Sequence, residues 1–242
     1  MVAVIPARYK SSRFPGKPLA MIGGITMIER VYHQAKAADY IGQVIVATDD
    51  NRILAHCNNA GIPVIMTSGK HQSGTDRVAE VAQSLACDVI FNIQGDEPFI
   101  PSSHLDKLAS VFDSEEVSIG TLFTEFENAK DVGDYNRVKV VFDCEGRALY
   151  FSRSAIPCAR AKLDEVRYYL HVGVYAFRKT VLLQLAKLPK GRLEQIEQLE
   201  QLRWLEYGHK IQMVEVNEST LGIDTPDDLA RAERWLADRG GV

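Results

Sequence analysis

Short apolar runs recur along this chain, separated by stretches of helix length. Val2-Ala3-Val4-Ile5, Val44-Ile45-Val46-Ala47, Val64-Ile65-Met66 and Val89-Ile90-Phe91-Asn92-Ile93 are of strand length and show no polar alternation. A strand apolar on both sides is buried on both faces, as in a parallel sheet covered by helices. Helix candidates lie between the runs, near 26–38, 50–59 and 76–86. The first opens on a capping box, Thr26 with Glu29 three residues on. This alternation predicts a doubly wound α/β sheet with ligands at the carboxyl ends of its strands.

The middle of the chain has a different pattern. Val138 to Phe142, a turn at Asp143-Cys144-Glu145-Gly146, and Ala148 to Phe151 predict a hairpin, and a long strand from Tyr168 to Phe177 follows. The segment 135–177 is therefore expected to be a β-rich inserted lobe that covers the site or joins two subunits. One helix over 194–207 is expected to end at Gly208, with a strand near 211–216 after it. Thr225-Pro226-Asp227-Asp228 predicts the start of a last helix, with Thr225 as N-cap and Pro226 at the first helical position. No repeat or linker divides the chain, so 1–242 is expected to be one domain.

At 242 residues, 46% hydrophobic and 25% charged, the chain can fill a sizeable core. A net charge of -4 argues against bulk nucleic-acid binding, which needs a basic field. Cys57, Cys87, Cys144 and Cys158 form no CxxC pair, which suits reduced thiols. There is no signal-like pattern at the start and no apolar run approaching the ~18 residues of a membrane span. A soluble, cytoplasmic protein that binds neither nucleic acid nor membrane is expected.

Against that acidic background, the loop after the first strand is cationic. Between Pro6 and Pro18 it carries Arg8, Lys10, Arg13 and Lys17, and no acid appears before Glu29. It is not a Walker A loop, since Lys17 is followed by Pro18, and the chain has no GxGxxG. Arginine forks and a compact lysine charge still suit a polyphosphate. The plainer alternative is a solvated basic turn.

A second motif, Gln94-Gly95-Asp96-Glu97-Pro98, follows an apolar strand directly. Carboxylates there suit Mg²⁺, which takes one or two carboxylates together with substrate phosphates; a simple turn would also satisfy the pattern. Asp224 precedes the last helix and is either a second metal carboxylate or part of that helix's cap. Ser73-Gly74-Thr75-Asp76-Arg77 can bind a base or ribose, or merely cap a helix. Arg153 and His171 are candidate ligands for an acidic substrate, although a lone His on a strand is often structural. Glu197 and Gln201, four apart on one expected helical face, either reach into a site together or form a solvated face.

Taken in order, these motifs resemble the 3-deoxy-manno-octulosonate cytidylyltransferase (CMP-Kdo synthetase) family over essentially the whole chain. The specific segments are Ala148-Leu149-Tyr150-Phe151-Ser152-Arg153 and Leu199-Glu200-Gln201-Leu202-Arg203, beside Ser12-Arg13-Phe14-Pro15-Gly16-Lys17-Pro18, His171-Val172-Gly173-Val174-Tyr175 and Ile223-Asp224-Thr225-Pro226. The resemblance implies an α/β Rossmann-like nucleotidyltransferase fold, a mostly parallel central sheet with helices on both faces, and a homodimer. It implies transfer from CTP to the sugar acid Kdo, giving CMP-Kdo and pyrophosphate for lipopolysaccharide synthesis.

By position, Arg8 and Lys17 look like triphosphate-binding cations, with Ser12 and Arg13 nearby. Asp96 and Asp224 look like Mg²⁺ carboxylates. Ala7, Ser73, Gly74, Asp76 and Arg77 look like cytidine contacts. Gln94, Arg153, His171, Tyr175, Glu197 and Gln201 fall where the sugar acid is held. The rival readings are a cytidylyltransferase for an amino-substituted Kdo or another sugar acid, and a non-catalytic sugar-nucleotide-binding homologue.

Overall fold

The computed structural model describes residues 1–10, 14–160, 166–218 and 220–238. Strand β1 (Val2–Ala7) lies at the centre of the sheet, as its uninterrupted apolar run requires. A short hairpin, β2 (Met21–Ile22) and β3 (Ile25–Thr26), precedes α1 (Met27–Lys36). The expected capping box is formed: Thr26 Oγ1 accepts from the Glu29 amide, and Glu29 accepts from the Thr26 amide. Then come β4 (Gln43–Thr48), α2 (Asn51–Asn59), β5 (Val64–Met66), α3 (Gly74–Gln83), β6 (Val89–Asn92) and α4 (Ser102–Ser110).

The chain continues through β7 (Ile119–Glu125), β8 (Lys139–Phe142), β9 (Ala148–Ser152) and β10 (Tyr169–Arg178). It closes with α5 (Lys179–Leu185), α6 (Arg192–Glu197), α7 (Gln201–Glu206), β11 (Gln212–Glu215) and α8 (Pro226–Asp238). The main sheet has the order β11-β7-β10-β6-β1-β4-β5, with β8 and β9 attached beside β10. β1 is parallel to both β4 and β6, and within the seven-strand path only β10 runs antiparallel. The chain winds outward from β1 through β4 and β5, then returns to β6 on the other side. The switch point therefore falls between β1 and β6, where a doubly wound sheet opens its ligand crevice.

Alternate residues of β1 feed two cores. Ala3, Ile5 and Ala7 join α1, α2 and α4 on one face. Val2 and Val4 join α3, α5 and α7 on the other. A third cluster packs Ile22, Met27, Ile223, Ala232 and Leu236 together, fixing α8 to the β2–β3 hairpin. Phe99 against Trp235, with ring centroids 4.8 Å apart, ties α8 to the loop after β6.

The segment 135–177 holds β8, β9 and most of β10. Tyr169 and Leu170 of β10 pair with β8, while Tyr175–Arg178 pair with β6 of the central sheet, so lobe and core share one strand. The expected helix over 194–207 is two helices. Gln198 takes a left-handed conformation (φ 53°, ψ 46°) and breaks it. Glu197 and Gln201 thus end one helix and begin another, and do not share a helical face. The last helix begins as expected: the Asp228 amide donates to Thr225 Oγ1, and Asp228 accepts from the Thr225 amide.

Candidate functional site

The cationic loop leaves β1 and folds back on itself. The Gly16 amide donates to the Tyr9 carbonyl at 2.9 Å, with Gly16 at φ 74°. A Cβ there would strain the backbone and press on the Tyr9 ring at 3.0 Å. A 3-10 turn over Lys17–Leu19, anchored by buried Pro18, then turns Lys17 inward. Its ammonium donates to Asp96 Oδ2 at 2.8 Å, the Ile223 carbonyl at 2.9 Å and Asp224 Oδ1 at 3.2 Å. The Ile223 amide donates to the Asp96 carbonyl at 3.0 Å, so the loop after β6 and the segment before α8 are stitched together. Lys17, Asp96 and Asp224 thus form one cluster from three distant parts of the chain.

Beside it, Pro6, Ala7, Arg8, Ser73, Gly74, Arg77 and Gln94 line a small pocket at the carboxyl ends of β1 and β6. Arg8 is exposed there, a cation open to a ligand. Gly74 matters to this pocket, because a Cβ would meet Pro6 at 3.2 Å and the Gln94 amide at 3.6 Å. Ser73 and Asp76 exchange both hydrogen bonds of a capping box on α3. Arg77 is buried, with its charge met by Asp49 at 3.2 Å and by a short contact with Thr67. Arg77 therefore lines the pocket while engaged with the protein, and Asp76 is held in the cap of α3. Ser12 and Arg13 lie outside the described residues. A larger cleft of about 790 Å³ between α3 and α5 is lined by His71, Glu80 and Lys187; of the candidate residues it includes only Asp76.

The remaining candidates fall into two groups. His171 and Tyr175 are neighbours on β10, with ring centroids 5.4 Å apart. His171 Nε2 is 2.9 Å from Thr121 Oγ1, and burial pushes its pKa down to about 3, so the ring is neutral at physiological pH. It can offer a hydrogen bond to a sugar acid but not a positive charge. Burial likewise raises the Tyr175 phenol well above its usual range, which keeps it protonated.

Arg153 and Glu197 form the second group. Glu197 accepts from Ser152 Oγ at 2.7 Å and from the Arg153 amide at 2.9 Å. The Arg153 guanidinium donates to the carbonyls of Glu197, Tyr135 and Gln198. The fork satisfies carbonyls left open where α6 ends. Buried Lys139 reinforces this knot through the Asp134 and Arg153 carbonyls. Gln201 is buried in the first turn of α7.

One residue of the site is missing from the sequence reading. Glu200 lies between the two short helices, and its Oε2 accepts from Thr75 Oγ1 at 2.6 Å, joining them to the Ser73–Arg77 segment. Burial raises its pKa, opposed by Thr75, Ser73 and Arg203. Its only sequence signal is its place next to Gln201 in the Leu199–Arg203 segment.

Asp96 and Asp224 suit a divalent cation by a direct observation: a cationic group, the Lys17 ammonium, already rests between them. Among the described residues no three His, Cys, Asp or Glu side chains converge as a cage. The donor set matches a hard cation that takes its other ligands from substrate oxygens and water.

A cationic loop and paired carboxylates meet at the switch point of a doubly wound sheet, an arrangement in keeping with the nucleotidyltransferase class. Residues 2–211 match the family model described as Cytidylyltransferase. The chain is 48% identical over 238 residues to a 3-deoxy-manno-octulosonate cytidylyltransferase of Koribacter versatilis, covering 98% of this chain and 90% of that one. It is 43% identical over 240 residues to that of Christiangramia forsetii, covering 98% and 97%. A solved CMP:2-keto-3-deoxy-manno-octonic acid synthetase complexed with CTP superimposes with a TM-score of 0.93 at 41% identity, covering 98% of each chain. The chain belongs to the 3-deoxy-manno-octulosonate cytidylyltransferase family.

Proposed function

We propose that this chain transfers the cytidylyl group of CTP to the anomeric hydroxyl of Kdo, giving CMP-Kdo and pyrophosphate for lipopolysaccharide synthesis. The observation that carries this reading is the Lys17–Asp96–Asp224 cluster beside the Arg8–Gln94 pocket, in a chain so similar to named enzymes over its full length. The sugar hydroxyl attacks the α-phosphorus in line as pyrophosphate leaves, a transfer that relies on positioning and charge neutralisation. Arg8 and Lys17 hold the triphosphate and stabilise the departing charge. Gly74 and Ala7 bound the nucleoside side, and the neutral ring of His171 with the Tyr175 phenol offers hydrogen bonds to the sugar acid.

Asp96 and Asp224 are the residues that would hold Mg²⁺. When bound, the ion supplies charge neutralisation at the α-phosphate and lowers the pKa of the attacking hydroxyl. A homodimer built on the 135–177 lobe is supported by exposed apolar side chains at Tyr135 (72%) and Leu149 (60%), with Ile196 (68%) on the adjoining α6. A cytoplasmic setting is in keeping with soluble substrates; among the described residues no helix is long and apolar enough to cross a membrane.

Pyrophosphate release with CTP and a panel of acceptors tests the proposal. Kdo is expected to have the highest kcat/KM, above amino-substituted Kdo and sialic acid. A clear preference for another acid would replace the substrate, and release with none of them would overturn the reading.

A further inference from the structure

Four side chains run in a line of hydrogen bonds from the break between α6 and α7 to the pocket. Thr75 Oγ1 donates to Glu200 Oε2 at 2.6 Å. Asn92 Nδ2 donates to Thr75 Oγ1 at 3.3 Å. Gln94 Nε2 donates to Asn92 Oδ1 at 3.1 Å. Thr75 and Asn92 are 3% and 1% exposed, so water cannot readily substitute for a missing partner.

The direction of every bond in this line follows from its first member. A carboxylate only accepts, and the Arg203 guanidinium lies 3.9 Å from Glu200 as its counter-charge. Thr75 must therefore give its single hydroxyl proton to Glu200, leaving only lone pairs for Asn92. Asn92 must turn its NH2 to Thr75 and its carbonyl to Gln94, and Gln94 must answer with its NH2. Reversing either amide would set two lone-pair oxygens, or two N–H groups, against each other in a buried place. The Gln94 Oε1, beside the second N–H of its amide, is what remains for the pocket.

We propose that Thr75 and Asn92 are positioning residues that carry the polarity of the Glu200 carboxylate to Gln94, fixing Gln94 as a hydrogen-bond acceptor toward the bound substrate. Gln94 then selects a ligand that presents a hydroxyl or N–H donor at that point. This rests on the reading that Gln94 faces the sugar acid.

The test is steady-state kinetics for Kdo at saturating CTP. Thr75→Val keeps the shape and removes the hydroxyl, so Asn92 and Gln94 lose their fixed orientation. The expected result is a KM for Kdo raised about tenfold or more, with kcat and the KM for CTP within about threefold of wild type. Thr75→Ser, which restores the hydroxyl, is expected to return the KM for Kdo to within about twofold. An unchanged KM for Kdo in folded Thr75→Val overturns the relay. So does an equal rise in both KM values, or a Thr75→Ser variant as impaired as Thr75→Val. Gln94→Ala separates the two levels: if it leaves the KM for Kdo unchanged, the placement of Gln94 at the sugar fails and the relay has no target.

Discussion

Replacing Lys17 with Met tests whether the cluster at the switch point is a charge-balanced unit. In the folded protein the ammonium touches Asp96 at 2.8 Å, Asp224 at 3.2 Å and the Ile223 carbonyl at 2.9 Å. The lysine side chain is 14% exposed, but its partners are 33% and 45% exposed. In bulk water each contact would give about 1 kcal/mol, and roughly four times that at the effective dielectric near a protein surface. Partial exposure and the ordering of a long side chain remove much of this gain. Adding the lost backbone hydrogen bond, of about 1 kcal/mol, and the repulsion left between two facing carboxylates gives a net cost of about 2 kcal/mol. For a domain of this size that lowers Tm by about 4–8 °C. The assay is thermal and denaturant unfolding without added metal or nucleotide, at low and at ~1 M salt, where the Debye length shrinks to about 3 Å. Lys17→Met is expected to lose stability at low salt, lose less at high salt, and regain part of it when Asp224→Asn is added. A Tm within about 1 °C of wild type under both conditions would refute the argument.

Asp96→Asn should fold normally and lose at least about a thousandfold in kcat with Mg²⁺ and CTP; near-normal turnover would remove Asp96 from the metal site. Arg203→Met strips the buried Glu194 of its bidentate partner, held at 2.6 and 2.7 Å, and should cost about 3–5 kcal/mol in denaturant unfolding. A loss below about 1 kcal/mol would show that this pair does not hold α6 against α7. His171 provides the pH test. Its folded pKa of about 3 lies below the usual 6.5, so the unfolded chain takes up the proton first as pH falls. Its contribution is complete above about pH 6.5 and is lost progressively below it, by about 1–2 kcal/mol at pH 5. Relative to wild type, His171→Gln should therefore gain stability on going from pH 8 to pH 5, and parallel curves would contradict the neutral buried ring.

The parallel core was legible because its signals are local. Val2–Ile5, Val44–Ala47 and Val89–Ile93 are apolar on both sides, and only a strand covered on both faces suits them. The caps at Thr26 and Thr225 were legible for the same reason. The break at Gln198 was not, since a left-handed turn at a residue other than glycine carries no local mark. With that break unseen, Glu197 and Gln201 read as one face, and Glu200 between the helices had no evident task. The cationic loop and both acids were legible singly. Their convergence was not, because Lys17 meets Asp96 and Asp224 across 79 and 207 residues of chain. Nor could spacing reveal that Arg153 is drawn to the open carbonyls at the end of α6, a contact that exists only once the lobe and that helix have packed.

Cytidylyl transfer to Kdo is tested most directly by following the purified protein with CTP, Mg²⁺ and Kdo by ³¹P NMR. A phosphodiester signal and pyrophosphate should grow in equal amounts, and neither should appear when CTP, Kdo or Mg²⁺ is left out. Pyrophosphate without the phosphodiester, or no turnover of Kdo by folded protein, would contradict the assignment.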